Sequence, residues 1–276
     1  MKLKNLTILL HEGLANRIRV MASLYHLTLS GINIKVIWQL NEELNCSFEK
    51  LFIPIKGFLI INTPKRIKLY NSKQKNILKR SVLKVYNKIK GFDYVIIGGY
   101  NNPDSCNVEL IHTIFDNYRN VFIETQQILY DNQEYSIFKP IKEIEDRIIH
   151  NFSLAQPYIG IHIRRGDNIQ SQLKSGIIPF IEKTKNILKD NPEQKFYLAT
   201  DSIDVKDVFK YLFGPSIITT DPDYSRNTET GIKDALFEMF MLSKSQRILG
   251  SYWSSFDGIA ARIGNIHIEK IVNQKQ

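Results

Sequence analysis

The chain has 276 residues, a formal net charge of +9, and a composition that is 43% hydrophobic and 11% aromatic. This length and apolar content can form one large core or two modest ones, and they exclude an intrinsically disordered chain. The two cysteines, Cys46 and Cys106, lie far apart without a CxxC pair, so the composition indicates neither a disulfide framework nor a zinc site.

The N-terminal sequence predicts a strand, a turn, a helix and a second strand. LTILL at 6–10 is apolar but too short for a secretory signal, and no other stretch approaches the length of a membrane span. We therefore expect a cytoplasmic protein. HEGLANR at 11–17 contains the turn, helical spacing continues to about residue 30, and NIKVIWQ at 33–39 is the second strand. Such a unit begins a parallel sheet covered by helices.

Residues 61–90 form a basic block with ten Lys or Arg and no acidic residue. Apolar residues recur at near-helical spacing from Ile77 to Ile89 with lysines between them, which predicts a basic amphipathic helix. Such a helix suits contact with an anionic membrane surface, nucleic acid or an acidic saccharide. Its commonest form is a solvated basic face over a packed apolar stripe. No nucleic-acid-binding motif accompanies the block, so nucleic acid is not an expected partner.

The remaining chain predicts further strands, followed by a second β/α half. DYVIIGGYN at 93–101 and NVFIETQQ at 120–127 are buried strands, and the pattern restarts near residue 140. Predicted helices at 139–152, 178–192 and 229–245 then alternate with strands at 158–164, 195–201, 216–221 and 247–255. We therefore expect an α/β protein of two Rossmann-like lobes facing a cleft, with an N-terminal lobe over 1–150 and a C-terminal lobe over 151–276.

Three polar motifs follow strands in the second half: HIRRGD at 162–167, ATDS at 199–202 and GSYWSSF at 250–256. The carboxyl ends of parallel strands meet at one edge, so these motifs converge on one crevice. Arg164 and Arg165 are suited to grip a phosphate through paired donors. Ser254 and Ser255, at a strand-to-helix turn, add hydroxyls and N–H groups where the helix dipole favours an anion. Together they predict a diphosphate site without a Walker loop.

Each of these features also has a purely structural interpretation when it is taken alone. Arginine pairs commonly form surface ion pairs, adjacent serines commonly cap helices, and Asp201 is compatible with a simple turn residue. Only the convergence of the three motifs favours a binding site.

The same motifs resemble those of the GDP-fucose-dependent fucosyltransferases, which include the nodulation and N-glycan core α-1,6 enzymes and the protein O-fucosyltransferases. HIRRGD, ATDS and LS followed by GSYWSSF carry the resemblance in the second half, and GLANRIR at 13–19 resembles the family's first turn. The match covers residues 8–52 and 158–264 by motif order. It implies a GT-B-like glycosyltransferase whose C-terminal lobe binds the nucleotide sugar and whose N-terminal lobe lies on the acceptor side.

The resemblance assigns roles to residues of the second half. It places Arg164 on the β-phosphate of GDP-fucose and Arg165 beside it as support. It places His162 at the guanine end and Glu238 as an acidic guanine partner, although a core histidine and a solvent-facing helix charge are the structural alternatives. A further group wraps the diphosphate, consisting of Ser254, Ser255 and Phe256.

Alternation of side chains along a strand refines the assignment of the two arginines. His162 and Arg164 share one face, whereas Arg165 points away from it. We therefore expect Arg164 to bind the β-phosphate and Arg165 to brace the crevice through Asp201 or Asp167.

In the first half, the resemblance implies that Gly13 and Asn16 approach the phosphates and the reacting sugar. The family's catalytic carboxylate falls near Gln172, which cannot take a proton. Glu12, beside the first turn, is similar to a glutamate used in one O-fucosyltransferase branch and is the first candidate for the base, and Asp167 is the second. Their structural alternatives are a helix cap for Glu12 and an arginine partner for Asp167.

The implied reaction is transfer of fucose from GDP-fucose to a saccharide acceptor with inversion, in bacterial surface polysaccharide or glycan synthesis. Negative charge builds on the β-phosphate as fucose leaves, and Arg164 is placed to stabilise it. We expect no metal or other cofactor, and interpret the DPD string at 221–223 as a loop turn. The alternatives are another GDP-sugar as donor, or a non-catalytic protein that binds an anionic polysaccharide. The basic block at 61–90 is a candidate for peripheral contact with the inner membrane face.

Overall fold

The computed structural model describes residues 1–65, 67–70, 77–98, 103–155, 157–166 and 168–273. The chain divides into two compact units, which we name the N-lobe and the C-lobe. The N-lobe comprises Met1–Lys139 and Arg226–Glu229, and the C-lobe comprises Pro140–Ser225 and Thr230–Gln276. In the described part of the chain each lobe contains one five-stranded parallel sheet with helices. The predicted α/β class with two Rossmann-like lobes is confirmed.

The N-lobe sheet has the strand order β3-β2-β1-β5-β4. In this order, β2 and β3 lie on one side of β1, whereas β5 and β4 lie on the other. Its strands are β1 (Asn5–Leu10), β2 (Asn33–Gln39), β3 (Phe58–Thr63), β4 (Tyr94–Ile96) and β5 (Asn120–Glu124), and its helices are α1 (Leu14–Leu29), α2 (Ile77–Ile89) and α3 (Val108–Asn117). β1 is buried from Leu6 to Leu10, as expected for a central strand with both faces covered.

The C-lobe sheet has the strand order β10-β9-β6-β7-β8, which reverses between β6 and β9. Its strands are β6 (Tyr158–Ile163), β7 (Lys195–Thr200), β8 (Ile217–Ile218), β9 (Arg247–Ser251) and β10 (His267–Ile271). Its helices are α4 (Lys142–Ala155), α5 (Ile169–Lys174), α6 (Ile177–Asp190), α7 (Ile203–Phe213), α8 (Glu229–Ser243) and α9 (Phe256–Gly264). A core of aliphatic and phenylalanine side chains from strands β6, β7 and β9 and helices α6 and α7 lies against this sheet.

The division between the lobes lies at residues 139 and 140, before α4 rather than within it as the sequence suggested. α4 belongs to the C-lobe because its Arg147 is bound to α8. The Arg147 guanidinium pairs with Asp234 and lies 4.0 Å from the centre of the Phe237 ring. A boundary at residue 150 would instead divide α4 and assign Arg147 to the N-lobe, although its partners Asp234 and Phe237 belong to the C-lobe.

β6, which carries HIRRGD at its end, is held closely against α8. Tyr158 is fully buried, and its hydroxyl donates to the Met241 carbonyl at 2.6 Å. Gly160 allows the close approach, since a Cβ there would lie 2.9 Å from Ser245 Oγ and 3.0 Å from a Leu242 methyl. These contacts fix the position of β6 against α8.

The described part of the chain contains no helix that is both long and apolar enough to cross a membrane.

Candidate functional site

In the C-lobe, Arg164 lies just past β6 and its guanidinium pairs with Asp201, just past β7. The other Asp201 oxygen accepts the Arg165 backbone N–H at 2.7 Å. The Arg164 backbone N–H donates to Ser251 Oγ on β9 at 2.9 Å. Three adjacent strands thus fix the start of the RRGD loop, and the side chains of Arg164 and Asp201 are each 19% exposed. The predicted convergence of the three motifs on the sheet edge is present.

Gly166 explains why this loop can close so tightly. Its φ is +36°, a conformation that favours glycine, and a Cβ there would lie 2.6 Å from Asp201 Oδ2. The glycine therefore lets the backbone fold over the carboxylate that holds Arg164.

Arg165 braces the loop through its guanidinium, whereas Asp201, one of its two suggested partners, accepts its backbone N–H. Its guanidinium donates to the carbonyls of Ser175 at 2.7 Å and Arg164 at 3.1 Å. Burial lowers the pKa of Arg165, and the nearby Asp201 charge opposes that change. Asp201 instead pairs with the Arg164 side chain, because β6 ends at Ile163 and strand alternation no longer fixes the side chains beyond it. Asp167, the other suggested partner and second base candidate, lies outside the described residues.

His162 is buried on β6 and stacks on Phe256, with ring centroids 5.0 Å apart and an interplanar angle of 28°. Its Nδ1 lies 3.3 Å from Asp257 Oδ2. The structure thus brings His162 and Phe256 together, as both assignments to one site require. The stack orients the imidazole, whereas its assignment to guanine stays a prediction.

Asp257 and Lys270 support this cluster, and the sequence did not identify either. Asp257 is fully buried, and its Oδ1 accepts from Lys270 Nζ at 2.6 Å. Lys270 also donates to the carbonyls of Ser251 at 2.9 Å and Ser254 at 3.2 Å. The Lys270 ammonium therefore connects β10 with the end of β9 and with the turn at Ser254 and Ser255, which we call the serine turn. The only sequence signal was an acidic residue directly after SSF.

The serine turn begins α9 and contains a strained residue. Trp253 has φ +58°, which is uncommon for a bulky side chain. Asn168 holds it by donating to its carbonyl at 3.0 Å. Ser254 Oγ accepts the Phe256 N–H at 3.3 Å, whereas Ser255 makes no side-chain cap bond. The interpretation of the serines as helix caps therefore holds for Ser254 but not for Ser255. The N-terminus of α9 follows the end of β9, and helix N-termini favour anions.

Glu238 is buried on α8, so the alternative of a solvent-facing charge is wrong. Thr220 Oγ1 lies 3.5 Å from its Oε1, and the fully buried Tyr197 hydroxyl lies 3.5 Å from the same Thr220 oxygen. Burial raises the pKa of Glu238 to about 8, with a further increase from Asp234 and opposing effects of Lys206, Thr220 and Arg147. Glu238 therefore lies on the β8 side of the sheet, and its assignment to guanine stays a prediction.

The DPD string lies in a loop, as interpreted from the sequence. Asp221 pairs with Lys206 Nζ at 3.0 Å, and Asp223 accepts the Ser225 N–H at 2.8 Å. Within the described residues, no group of three or more His, Cys, Asp or Glu is arranged to hold a metal ion.

In the N-lobe, the HEGLANR turn connects β1 to α1. Gly13 is the N-cap residue of α1, and Asn16 Nδ2 donates to Gln126 Oε1, just past β5, at 3.2 Å. Arg17 is buried, with its guanidinium 4.7 Å from the Trp38 ring centre, and burial lowers its pKa to about 9. The turn is therefore held by the buried side chain of Arg17 and by the side-chain amide of Asn16.

Glu12 lies on the partly exposed side of this turn. Its Oε1 is 3.7 Å from Nδ1 of His11, and its carbonyl accepts from Arg17 Nε. The helix-cap alternative is not realised, since Gly13 occupies the cap position and no side chain makes a cap bond there. His11 itself, which the sequence did not single out, makes a 2.7 Å contact with Glu124 at the end of β5.

We expect the burial of Glu238 to make folding stability depend on pH. Its folded pKa of about 8 exceeds the ordinary value of 4.5, so its contribution is complete below about pH 4.5 and is lost as pH rises toward 8. The loss is at most about 1.4 kcal/mol per pH unit. Glu238→Gln should therefore gain stability over the parent at pH 8 relative to pH 5 in urea unfolding. The exposed substitution Glu182→Gln is the control, and an equal Glu238→Gln effect at both pH values would contradict the assignment.

No protein-family model and no curated protein sequence matches the chain. Solved structures do match its fold. The α-1,6-fucosyltransferase NodZ soaked with GDP-fucose is 17% identical with a TM-score of 0.62, covering 95% of this chain and 93% of that one. A structure of NodZ from Bradyrhizobium gives 18% identity and a TM-score of 0.59, covering 94% of this chain and 92% of that one.

Two further fucosyltransferase structures are also similar. Arabidopsis thaliana FUT1, in a mutant complex with GDP, is 14% identical with a TM-score of 0.60, covering 97% of this chain and 70% of that one. POFUT1 in complex with GDP is 11% identical with a TM-score of 0.53, covering 98% of this chain and 99% of that one. At these identities the likeness concerns the fold, and the chain has the GT-B-like α/β fold of NodZ, FUT1 and POFUT1.

Proposed function

We propose that the chain is a glycosyltransferase that moves fucose from GDP-fucose to a saccharide acceptor. The observation that carries the proposal is Arg164, which Asp201 holds at the carboxyl end of β6, where the strand order of the C-lobe reverses. Ligands of open α/β sheets bind at such reversals. The serine turn, at the end of the adjacent strand β9, supports the same assignment. The fold is shared with proteins that were solved with GDP or GDP-fucose.

Arg164 supplies the electrostatic part of the proposed mechanism. The bond from fucose to the β-phosphate breaks with an oxocarbenium-like transition state, so negative charge grows on the phosphate oxygen. A guanidinium that is already oriented stabilises this charge more in the transition state than in the ground state. Asp201 contacts one terminal nitrogen of this planar group, which carries five N–H donors in all. In this mechanism, Arg164 and the N–H groups of α9 supply the positive charge without a metal.

The remaining predicted residues complete the donor site in this proposal. His162 and Glu238 recognise the guanine, Phe256 and the two serines wrap the diphosphate, and the Gly13–Asn16 turn approaches the sugar. The acceptor hydroxyl attacks the face opposite the departing phosphate, which inverts the anomeric centre. We place the reaction in bacterial surface polysaccharide or glycan synthesis, in the cytoplasm.

The exposure of Arg164 favours an enzyme over a polysaccharide-binding protein. A protein that grips an acidic polymer needs cations that reach into solvent, whereas Arg164 is 19% exposed and already paired. Another GDP-sugar remains the alternative donor, because the residues proposed for guanine and diphosphate do not select the sugar.

The two arginines have different contacts, so their conservative substitutions should have different effects. Arg164→Lys keeps the charge but loses the planar, multiple-donor grip, and we expect kcat for transfer from GDP-fucose to fall by on the order of a hundredfold. Arg165→Lys loses bonds to two carbonyls and should mainly lower the melting temperature, with a loss of about 1 kcal/mol per bond.

Steady-state kinetics with GDP-fucose and melting curves of both variants distinguish the roles. Arg165→Lys is the matched control, since it makes the same chemical change at the next residue. Near-normal kcat in Arg164→Lys together with a large loss of kcat in Arg165→Lys would reverse the assignment.

We also propose that α2 holds the protein at an anionic membrane surface. Residues 66 and 71–76 of the basic block lie outside the described residues, but α2 itself is anchored on one side. Asn87 Nδ2 donates to the Tyr70 carbonyl at 2.8 Å, and the rings of Tyr86 and Tyr70 lie 5.4 Å apart. The helix therefore packs through Tyr86 and Asn87.

Three apolar side chains of α2 are exposed to solvent. Val82, Val85 and Ile89, spaced three and four residues apart, are 68%, 61% and 78% exposed. Lys84 and Lys88 beside them line a groove that also contains Lys2 and Arg119. Exposed aliphatic groups next to lysines suit the boundary between anionic headgroups and acyl chains. A second copy of the same helix would instead bring the lysines together.

Lys84→Gln with Lys88→Gln should weaken binding to anionic vesicles. Each lysine near such a surface contributes about 1 kcal/mol, so the pair is worth about 30-fold in affinity. Co-sedimentation with vesicles of anionic and of purely zwitterionic lipid at low salt measures this. Lys185→Gln with Lys189→Gln on α6 removes the same charge from another exposed helix and should bind as the parent does. No binding by the parent, or equal losses in both variants, would contradict the proposal.

A further inference from the structure

His11 and Glu124 lie together at the carboxyl ends of two neighbouring parallel strands of the N-lobe. His11 follows β1, and Glu124 ends the neighbouring strand β5, in register with Leu9. Ligands of open α/β sheets bind beyond the carboxyl ends of the strands. Side chains at this end of the sheet are therefore placed to contact a ligand.

The contacts of Glu124 fix the imidazole in one orientation. Glu124 Oε1 lies 2.7 Å from Nε2 of His11, and Glu124 Oε2 accepts the Gly98 backbone N–H at 2.7 Å. The backbone carbonyl of His11 accepts from Asn41 Nδ2. With Nε2 donating its proton to the carboxylate, Nδ1 is left as the acceptor of the neutral ring.

Nδ1 has room to receive a proton from a substrate. The side chain of His11 is 29% exposed, and Glu12 Oε1 lies 3.7 Å from Nδ1, beyond hydrogen-bonding distance. A histidine acts as a general base when one ring nitrogen donates to a carboxylate and the other ring nitrogen is accessible to the substrate.

We propose that His11, held by Glu124, is the base that deprotonates the acceptor hydroxyl. This inference rests on the proposed function. The acceptor oxygen forms a bond to the anomeric carbon while the bond from that carbon to the β-phosphate oxygen breaks, and GDP leaves with the electron pair. The acceptor proton moves to Nδ1. Glu124 stabilises the resulting imidazolium, and Glu12, first considered as the base, adds a second negative charge beside it.

The charges around His11 define the expected pH dependence. The hydrogen bond to Glu124 and the charges of Glu124 and Glu12 raise the pKa of His11 above its ordinary value of 6.5, while burial and the Arg17 charge oppose them. The protonated ring cannot accept a proton. The rate kcat/KM should therefore decline as pH falls through a value above about 6.5.

The pH profile of fucose transfer in three variants tests the inference. His11→Asn should lower kcat on the order of a hundredfold or more and remove the acidic limb. Glu124→Gln should lower kcat less but shift the acidic limb to lower pH, because the charge that raises the His11 pKa is gone. His150→Asn, at an exposed histidine of α4, is the control and should leave the profile unchanged.

GDP affinity, measured by calorimetry, should be unchanged in all three variants, which also verifies that each is folded. If the parent transfers fucose and His11→Asn keeps its kcat and its acidic limb, the inference is overturned while the proposed function stands. If the acidic limb of Glu124→Gln does not move, Glu124 does not tune His11. If the parent transfers no sugar from GDP-fucose, both the proposed function and this inference fail.

Discussion

The ion pair between Arg164 and Asp201 is the interaction on which the C-lobe site depends. Both side chains are mostly shielded from water, so removing either would leave a poorly solvated charge. Asp201 also receives the Arg165 backbone N–H and lies against Gly166. One carboxylate therefore determines the orientation of the guanidinium, the path of the loop and the need for a glycine. A surface ion pair would have none of these consequences.

A second charged group, Asp257, organises the opposite side of the same sheet edge. It lies fully buried between Lys270 and His162, and the Lys270 ammonium also binds two carbonyls at the start of the serine turn. A buried carboxylate is tolerated here because it has a cation and an imidazole beside it. The strain at Trp253 is thus maintained by contacts from β10 and from Asn168.

Local sequence patterns predicted much of the fold and the position of the site. The strands β1, β2, β6, β7 and β9 are apolar runs followed by polar motifs, and the position of the motifs follows from parallel topology. β3, β10 and α7 were not identified. Every second residue at the start of β3 is exposed, and Leu59 and Ile61 face solvent. β10 has only one buried residue, Ile271. Neither resembles the continuous apolar run of a buried parallel strand.

The partners of the site residues could not be predicted, because they are distant in sequence. Glu124 is far along the chain from His11, and Lys270 comes from a strand that the sequence did not reveal. Alternation along β6 could neither separate the roles of the two arginines nor assign Asp201 to Arg164, since the strand ends before both. Glu238 illustrates the same limit: a single carboxylate in an apolar helix does not reveal whether its face is buried.

The central claim is that the C-lobe binds a guanine nucleoside diphosphate through charges of the chain itself. Calorimetry with GDP, UDP, ADP and CMP, each in the presence of EDTA, tests this most directly. The account predicts that GDP binds at least about tenfold more tightly than the others, equivalent to about 1.4 kcal/mol, and that EDTA leaves its affinity unchanged. Equal affinities for the four nucleotides, or loss of GDP binding with EDTA, would contradict it.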